Sequence, residues 1–293
     1  MKKRLKKAAA SLALMALCFW CMPLPAIAMV RTPIASGTAS YGNTKVTLDA
    51  SNTSQGYVMV KYTGSNSKIK VQITKGVTYT YNLNARDSYE VFPLTEGDGS
   101  YSIKVFENIS GNQYSQAFSQ TVNVTLENEF APFLYPNQYV NFTPDSEACK
   151  LALSLLAEDA TEQESIDTVF QYVTQHVTYD EDKAATVETG YLPDIDETLS
   201  TGKGICFDYA ALMTAMLRSR DIPCKLQIGY AGDIKHAWID VYIRGKGWVE
   251  QAITYDGEKW NRMDPTFTAN SEDEELINSY IGDSANYTLQ FTR

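Results

Sequence analysis

The chain has 293 residues, and 44% of them are hydrophobic, which is enough for a sizeable core and more than one typical domain. A formal net charge of -10 excludes a protein built to hold nucleic acid or anionic membrane through a basic surface.

"MKKRLKK" opens the chain as a basic segment, and the apolar run "AAASLALMALCFW" follows, too short to span a bilayer comfortably. "MPLPAIA" then supplies breakers and the small-residue signal Ala26-Ile27-Ala28. Residues 1–28 read as a secretory signal peptide cleaved after Ala28. Leu17 is too bulky for the position before a lipidated Cys18. Cleavage removes Lys2, Lys3, Arg4, Lys6 and Lys7 and takes the net charge from -10 to -15. The expected product is secreted or cell-surface associated, with no integral membrane span. Cys18 and Cys21 leave with the signal, so Cys149, Cys206 and Cys224 remain. An odd count leaves at least one free thiol, and a Cys149–Cys224 pair stays open at this level.

Residues 29–127 alternate in short runs: "TKVTLDA", "GYVMVKY", "KIKVQIT", "VTYTYNL", "SYEVFPL", "GSYSIKVFE" and "QTVNVTL". Period-two alternation with glycine-rich punctuation predicts an antiparallel, Ig-like β-sandwich. Tyr57, Tyr62, Tyr79, Tyr81, Tyr101 and Tyr114 either pack across strands or present rings to a carbohydrate or cell-wall ligand.

Residues 128–293 read as a second, α+β domain. Pro132, Pro136 and Pro144 mark the changeover. Thr143-Pro144 predicts a helix start, and Ala148, Leu151, Ala152, Leu155 and Leu156 keep helical spacing. Thr161 and Glu164 form a capping box for a second helix with the stripe Ile166, Val169, Phe170, Val173 and Val177.

"GKGICFDYA" places Cys206 at the start of a strong helix, "FDYAALMTAMLRSR", whose terminal arginines suit the helix dipole. Free N–H groups at that end favour a thiolate and can hold an oxyanion. Gly202 and Gly204 leave room for a substrate to approach the backbone. A thiol nucleophile needs a base. His176 lies late in the second helix and reads as a structural or surface residue, whereas His236 opens the alternating strand "HAWIDVYI". An imidazole needs an orienting acid. "KGWVEQAI", "TYDGE" and "KWNRMDPTF" predict a hairpin that ends at Asp264. The three residues are 30 and 28 positions apart.

"GKGICFDYAALMTAMLRSRDIPCKLQIGY", "KHAWIDVYIRGKGWV" and "WNRMDPTF", in this order, resemble the transglutaminase-like superfamily in its bacterial secreted form, from about Leu151 to Phe267. The resemblance implies a papain-like α+β core with Cys206 as nucleophile, His236 as general base and acid, and Asp264 as orienting acid. It implies a thiol enzyme that cleaves or transfers amide bonds on a peptide or protein, cell-wall or host in origin, with hydrolysis ahead of cross-linking. Two departures stand out. Asp221 occupies a position where the family usually has glycine. "QAITYDGEK" lengthens the interval from histidine to aspartate and makes Glu250 a rival acid. Tyr179 is a candidate oxyanion donor or a structural residue. A non-catalytic cell-surface binding protein is the competing reading. A zinc site of Cys206, His236 and Asp264 lacks any close-spaced ligand pair, and neither a metal nor another cofactor is expected.

Overall fold

The computed structural model describes residues 30–231, 233–255, 260–262 and 287–293. The expected signal peptide and Asp264 with its "DPTF" context lie outside the described residues.

All seven alternating runs form strands. β1 (Ser40–Gly42), β2 (Val46–Asp49), β3 (Tyr57–Tyr62) and β6 (Glu90–Pro93) make one antiparallel sheet in the order β1-β2-β3-β6. β4 (Ile69–Thr74), β5 (Thr78–Asn82), β7 (Gly99–Ser110) and β8 (Gln113–Val124) make a second in the order β5-β4-β7-β8. Inward residues of both sheets, among them Val58, Val60, Val71, Ile73, Ile103 and Val105, share one core. Tyr57, Tyr62, Tyr79, Tyr81 and Tyr101 are all buried, so packing rather than ligand stacking accounts for them. Tyr114 alone of the six is half-buried.

The helical part begins with a correction. The first helix, α1 (Glu147–Leu155), starts after Ser146, and Pro144 stands outside it. The Ser146 hydroxyl accepts from the Thr143 N–H at 3.1 Å, and the Thr143 hydroxyl accepts from the Asp145 N–H at 3.2 Å, so these residues close a turn first. The capping box forms as expected at α2 (Glu162–His176): Glu164 N donates to Thr161 Oγ1 at 3.2 Å, and Thr161 N donates to Glu164 Oε2 at 2.8 Å. Ile166, Val169, Val173 and Val177 are buried beneath it.

β9 (Thr178–Tyr179), α3 (Glu181–Thr186), α4 (Ile195–Thr201) and β10 (Lys203–Gly204) lead to α5 (Cys206–Arg218). β11 (Cys224–Ala231), β12 (Ile234–Ile243), β13 (Gly247–Tyr255), β14 (Trp260–Arg262) and the closing β15 (Tyr287–Thr292) form an antiparallel sheet in the order β14-β13-β12-β11-β15. α5 is apolar nearly all round and is buried against α1, α2 and α4 and against Ala237, Ile239 and Val241 of β12.

Two arginines serve the packing of the two parts. Arg218, 1% exposed, donates to Cys224 O at 2.9 and 2.7 Å, Tyr135 O at 2.8 Å and Arg293 O at 2.7 Å. It therefore ties α5 to the connecting segment and to β15 instead of only facing the helix dipole. Arg293 lies against the rings of Tyr79, Tyr81, Tyr139 and Phe291 at 4.6 to 5.0 Å, bridging the two cores. Asp221 has φ of 60°, the left-handed region that glycine adopts most easily. Aspartate tolerates that region better than most residues, and here its carboxylate also meets Arg31 at 2.7 Å.

Candidate active site

Cys206 is the first residue of α5, with Ile205 as N-cap, and is 9% exposed. The N–H groups of Ala237, Phe207 and Cys206 itself lie by its sulfur and favour the charged form. The first donor comes from β12, the other two from the helix start. The sulfur thus meets β12 at the peptide that joins His236 to Ala237. Burial nevertheless pushes the Cys206 thiol up, and the Asp208 charge adds to this against the pull of the N–H groups. The helix terminus acts in the expected direction, but desolvation outweighs it.

His236 is 7% exposed and stands opposite Gly229 of β11. Strand alternation places it with Trp238 and Asp240, while Ala237 turns toward α5. Gln227 Nε2 donates to Asp240 Oδ2 at 2.5 Å, and Thr292 Oγ1 donates to Gln227 Oε1 at 2.7 Å, fixing this face of the sheet. A side chain at Gly229 would come within 2.0 Å of Thr288 O and 2.8 Å of Trp238, so glycine lets β15 close beside His236. His176 is exposed, stacked on Tyr172 at 4.0 Å, with Nδ1 2.7 Å from Tyr172 O, in keeping with a structural or surface residue.

The structure therefore joins Cys206 to the backbone at His236, and Asp264 falls outside the described residues. Glu250, the rival acid, is exposed on β13. Tyr179 pairs with Gly204 across the short β9–β10 bridge, close to the nucleophile loop.

A further group stands beside Cys206 that motif spacing did not reveal. Asp208, with no exposed surface, accepts from Ile205 N at 2.9 Å and from the Tyr191 hydroxyl at 2.5 Å, and pairs with Lys183 Nζ at 2.8 Å. Lys183 also lies 4.5 Å from the Tyr191 ring centre. An acid at the third position of a helix that lacks a polar N-cap was the signal available in the sequence. The glycines serve this packing. A side chain at Gly204 would meet Asp208 Cβ at 2.7 Å, and Gly202 ends α4 with φ of 62°. Both answer to the chain's own geometry before any substrate. Cys149 and Cys224 are free, buried thiols, pushed up by burial to about 11 and about 12, so no disulfide joins them.

Residues 150–265 match the sequence profile of the transglutaminase-like superfamily. That segment is a transglutaminase-like domain. The chain is also 28% identical over 199 residues to the UPF0252 protein MJ1282 of Methanocaldococcus jannaschii. This alignment covers 61% of the chain and spans about half, 54%, of that relative. Among solved structures, the periplasmic domain of TgpA from Pseudomonas aeruginosa is similar at 15% identity, covering 81% of this chain and 78% of that one with a TM-score of 0.34. The transglutaminase of red sea bream is similar at 13% identity, covering 72% and 48% with a TM-score of 0.26. Among the described residues, no helix is long and apolar enough to cross a membrane.

Proposed function

We propose that this protein is a secreted thiol enzyme that cleaves amide bonds in a peptide or protein through an acyl-thioester. The observation that carries the reading is the Cys206 sulfur at a helix start, in contact with the N–H that follows His236. Cys206 attacks the substrate carbonyl as His236 takes the thiol proton, which suits a thiol whose charged form burial disfavours. N–H groups at the helix start receive the developing oxyanion. His236 then protonates the leaving amine, the C–N bond breaks, and water hydrolyses the thioester to release acid and thiol. Asp264 is assigned the orienting role from its "DPTF" context. The two-sheet unit is taken as an Ig-like domain, with residues 1–28 as the signal peptide. Hydrolysis is placed ahead of cross-linking on the resemblance to bacterial peptidase-like members.

Mass spectrometry of candidate peptides incubated with and without a primary amine tests this. Cleavage that depends on Cys206 is expected. Amine incorporation would turn the assignment to transamidation, and unchanged peptides would support a binding protein.

A further inference from the structure

The loop that presents Cys206 is held by a closed ring of bonds. Asp180 N donates to Gly204 O at 3.0 Å, and Asp180 Oδ1 accepts from Lys183 N at 2.9 Å at the start of α3. Lys183 Nζ pairs with Asp208 Oδ2 at 2.8 Å. Asp208 closes the ring on Ile205: its Oδ2 accepts from Ile205 N at 2.9 Å, and its own N–H donates to Ile205 O at 2.9 Å. The peptide joining Gly204 to Ile205 is therefore bonded at both ends, its C=O to the start of α3 and its N–H to Asp208. From the loop before α4, the Tyr191 hydroxyl donates to Asp208 Oδ1. Three segments thus converge on one carboxylate with no exposed surface, two residues beyond the nucleophile.

Charge matters here as well as geometry. Asp208 places a buried negative charge near the Cys206 sulfur, and a thiolate meets it as a like charge. Asp194 and Glu197 of α4 add negative charge around Tyr191. On the other sides of this helix end stand Tyr179 on β9, the exposed Lys203 on β10 and His236 on β12. Among the described residues, Lys183 is the one cation paired with Asp208.

We propose that Asp208 and Lys183 are positioning residues for Cys206: Asp208 fixes the loop that aims the sulfur at β12, and Lys183 offsets the buried negative charge that opposes thiolate formation. Neither touches the reacting atoms. The proposal rests on the thiol-enzyme reading of Cys206, and it gives α3, which lies outside the three motifs, a part in that chemistry.

The test is the pH dependence of iodoacetamide alkylation at Cys206 in the full chain, read separately from Cys149 and Cys224 by peptide mapping. Lys183→Gln removes the cation and keeps a donor for Asp208; its inflection is expected to rise by about 0.5 pH unit or more. Asp208→Asn removes the anion and keeps an acceptor for Ile205 N; its inflection is expected to fall by about the same amount. Lys183→Arg keeps the charge and should restore the wild-type profile. The opposite signs separate positioning from a merely structural role, because loosened packing would admit water to Cys206 and lower the inflection in every variant. Asp208→Ala removes the acceptor too, and its Ile205 amide hydrogen should exchange at least about tenfold faster than in Asp208→Asn.

Shifts of the same sign in Lys183→Gln and Asp208→Asn, no shift in either, or equal Ile205 exchange in Asp208→Ala and Asp208→Asn would overturn the proposal. If Lys183→Gln does not fold by circular dichroism, Asp208→Asn decides alone, and an unmoved or raised inflection there overturns it. Wild-type Cys206 labelled no faster than Cys149 and Cys224 would instead sink the thiol-enzyme reading, and with it the purpose assigned to the two residues.

Discussion

Replacing Lys183 with methionine tests whether the cluster beside Cys206 stabilises the molecule. Lys183 Nζ is 2.8 Å from Asp208 Oδ2, with the lysine side chain 27% exposed and the aspartate fully buried. Removing the lysine leaves a buried carboxylate with only the Ile205 N–H and the Tyr191 hydroxyl as partners. Breaking a buried pair in this way costs about 3–5 kcal/mol. Asp208→Asn leaves the partly exposed ammonium instead. Water recovers part of that charge's solvation, so a smaller loss of about 2–3 kcal/mol is expected. The order is therefore Lys183→Met worse than Asp208→Asn, with the double variant less costly than the sum of the two. Urea unfolding of the four proteins at neutral pH measures this. A Lys183→Met loss below about 0.5 kcal/mol, or the reverse order, would show that the pair is effectively solvated and refute the reasoning. Asp208→Asn also removes a charge that raises the Cys206 thiol pKa, so its labelling profile should move to lower pH.

Iodoacetamide should label Cys206 ahead of Cys149 and Cys224, and His236→Ala should slow that labelling at least about tenfold. The labelling rate should rise through a pH above the ordinary thiol value of about 8.5, because burial pushes the Cys206 thiol up; an inflection near pH 7 would contradict this. Cys149 and Cys224 are neutral in the fold and ionise earlier when unfolded, so their contribution to stability is intact below about pH 9. It should fall as pH rises through about 11 and about 12, by up to about 1.4 kcal/mol per pH unit per thiol. Denaturant melts of Cys224→Ala against wild type across that window should show the flatter slope in the variant. Arg218→Met strands carbonyls of Cys224, Tyr135 and Arg293 and should cost about 3–5 kcal/mol, with Arg218→Lys recovering little, as thermal melts can measure. Asp221→Ala loses both the tolerance of aspartate for a positive φ and the Arg31 pair, and should cost about 1 kcal/mol in the same assay, while Asp221→Gly stays within about 0.5 kcal/mol of wild type.

Local signals carried far in this chain. The Thr161–Glu164 box, the stripe of α2, the seven alternating runs and the strand from His236 are all short-range patterns, and each formed where its period placed it. α1 started later than Thr143-Pro144 indicated because side-chain bonds closed a turn first, a competition between nearly equivalent local structures. Beyond Asp208's place in the first turn of α5, the Asp208–Lys183–Tyr191 cluster and the Arg218 clasp left no such trace. Their partners lie on other elements, and no period links them.

The sequence by itself determined that Cys206 opens a helix and that His236 lies near the start of a strand, since both follow from local propensity and order along the chain. Only the tertiary structure decided the state of that thiol. Packing α5 against the sheet removes Cys206 from water, and desolvation then outweighs the N–H groups that the helix terminus supplies. Burial depends on every neighbour at once, and no stretch as short as "GKGICFDYA" encodes it.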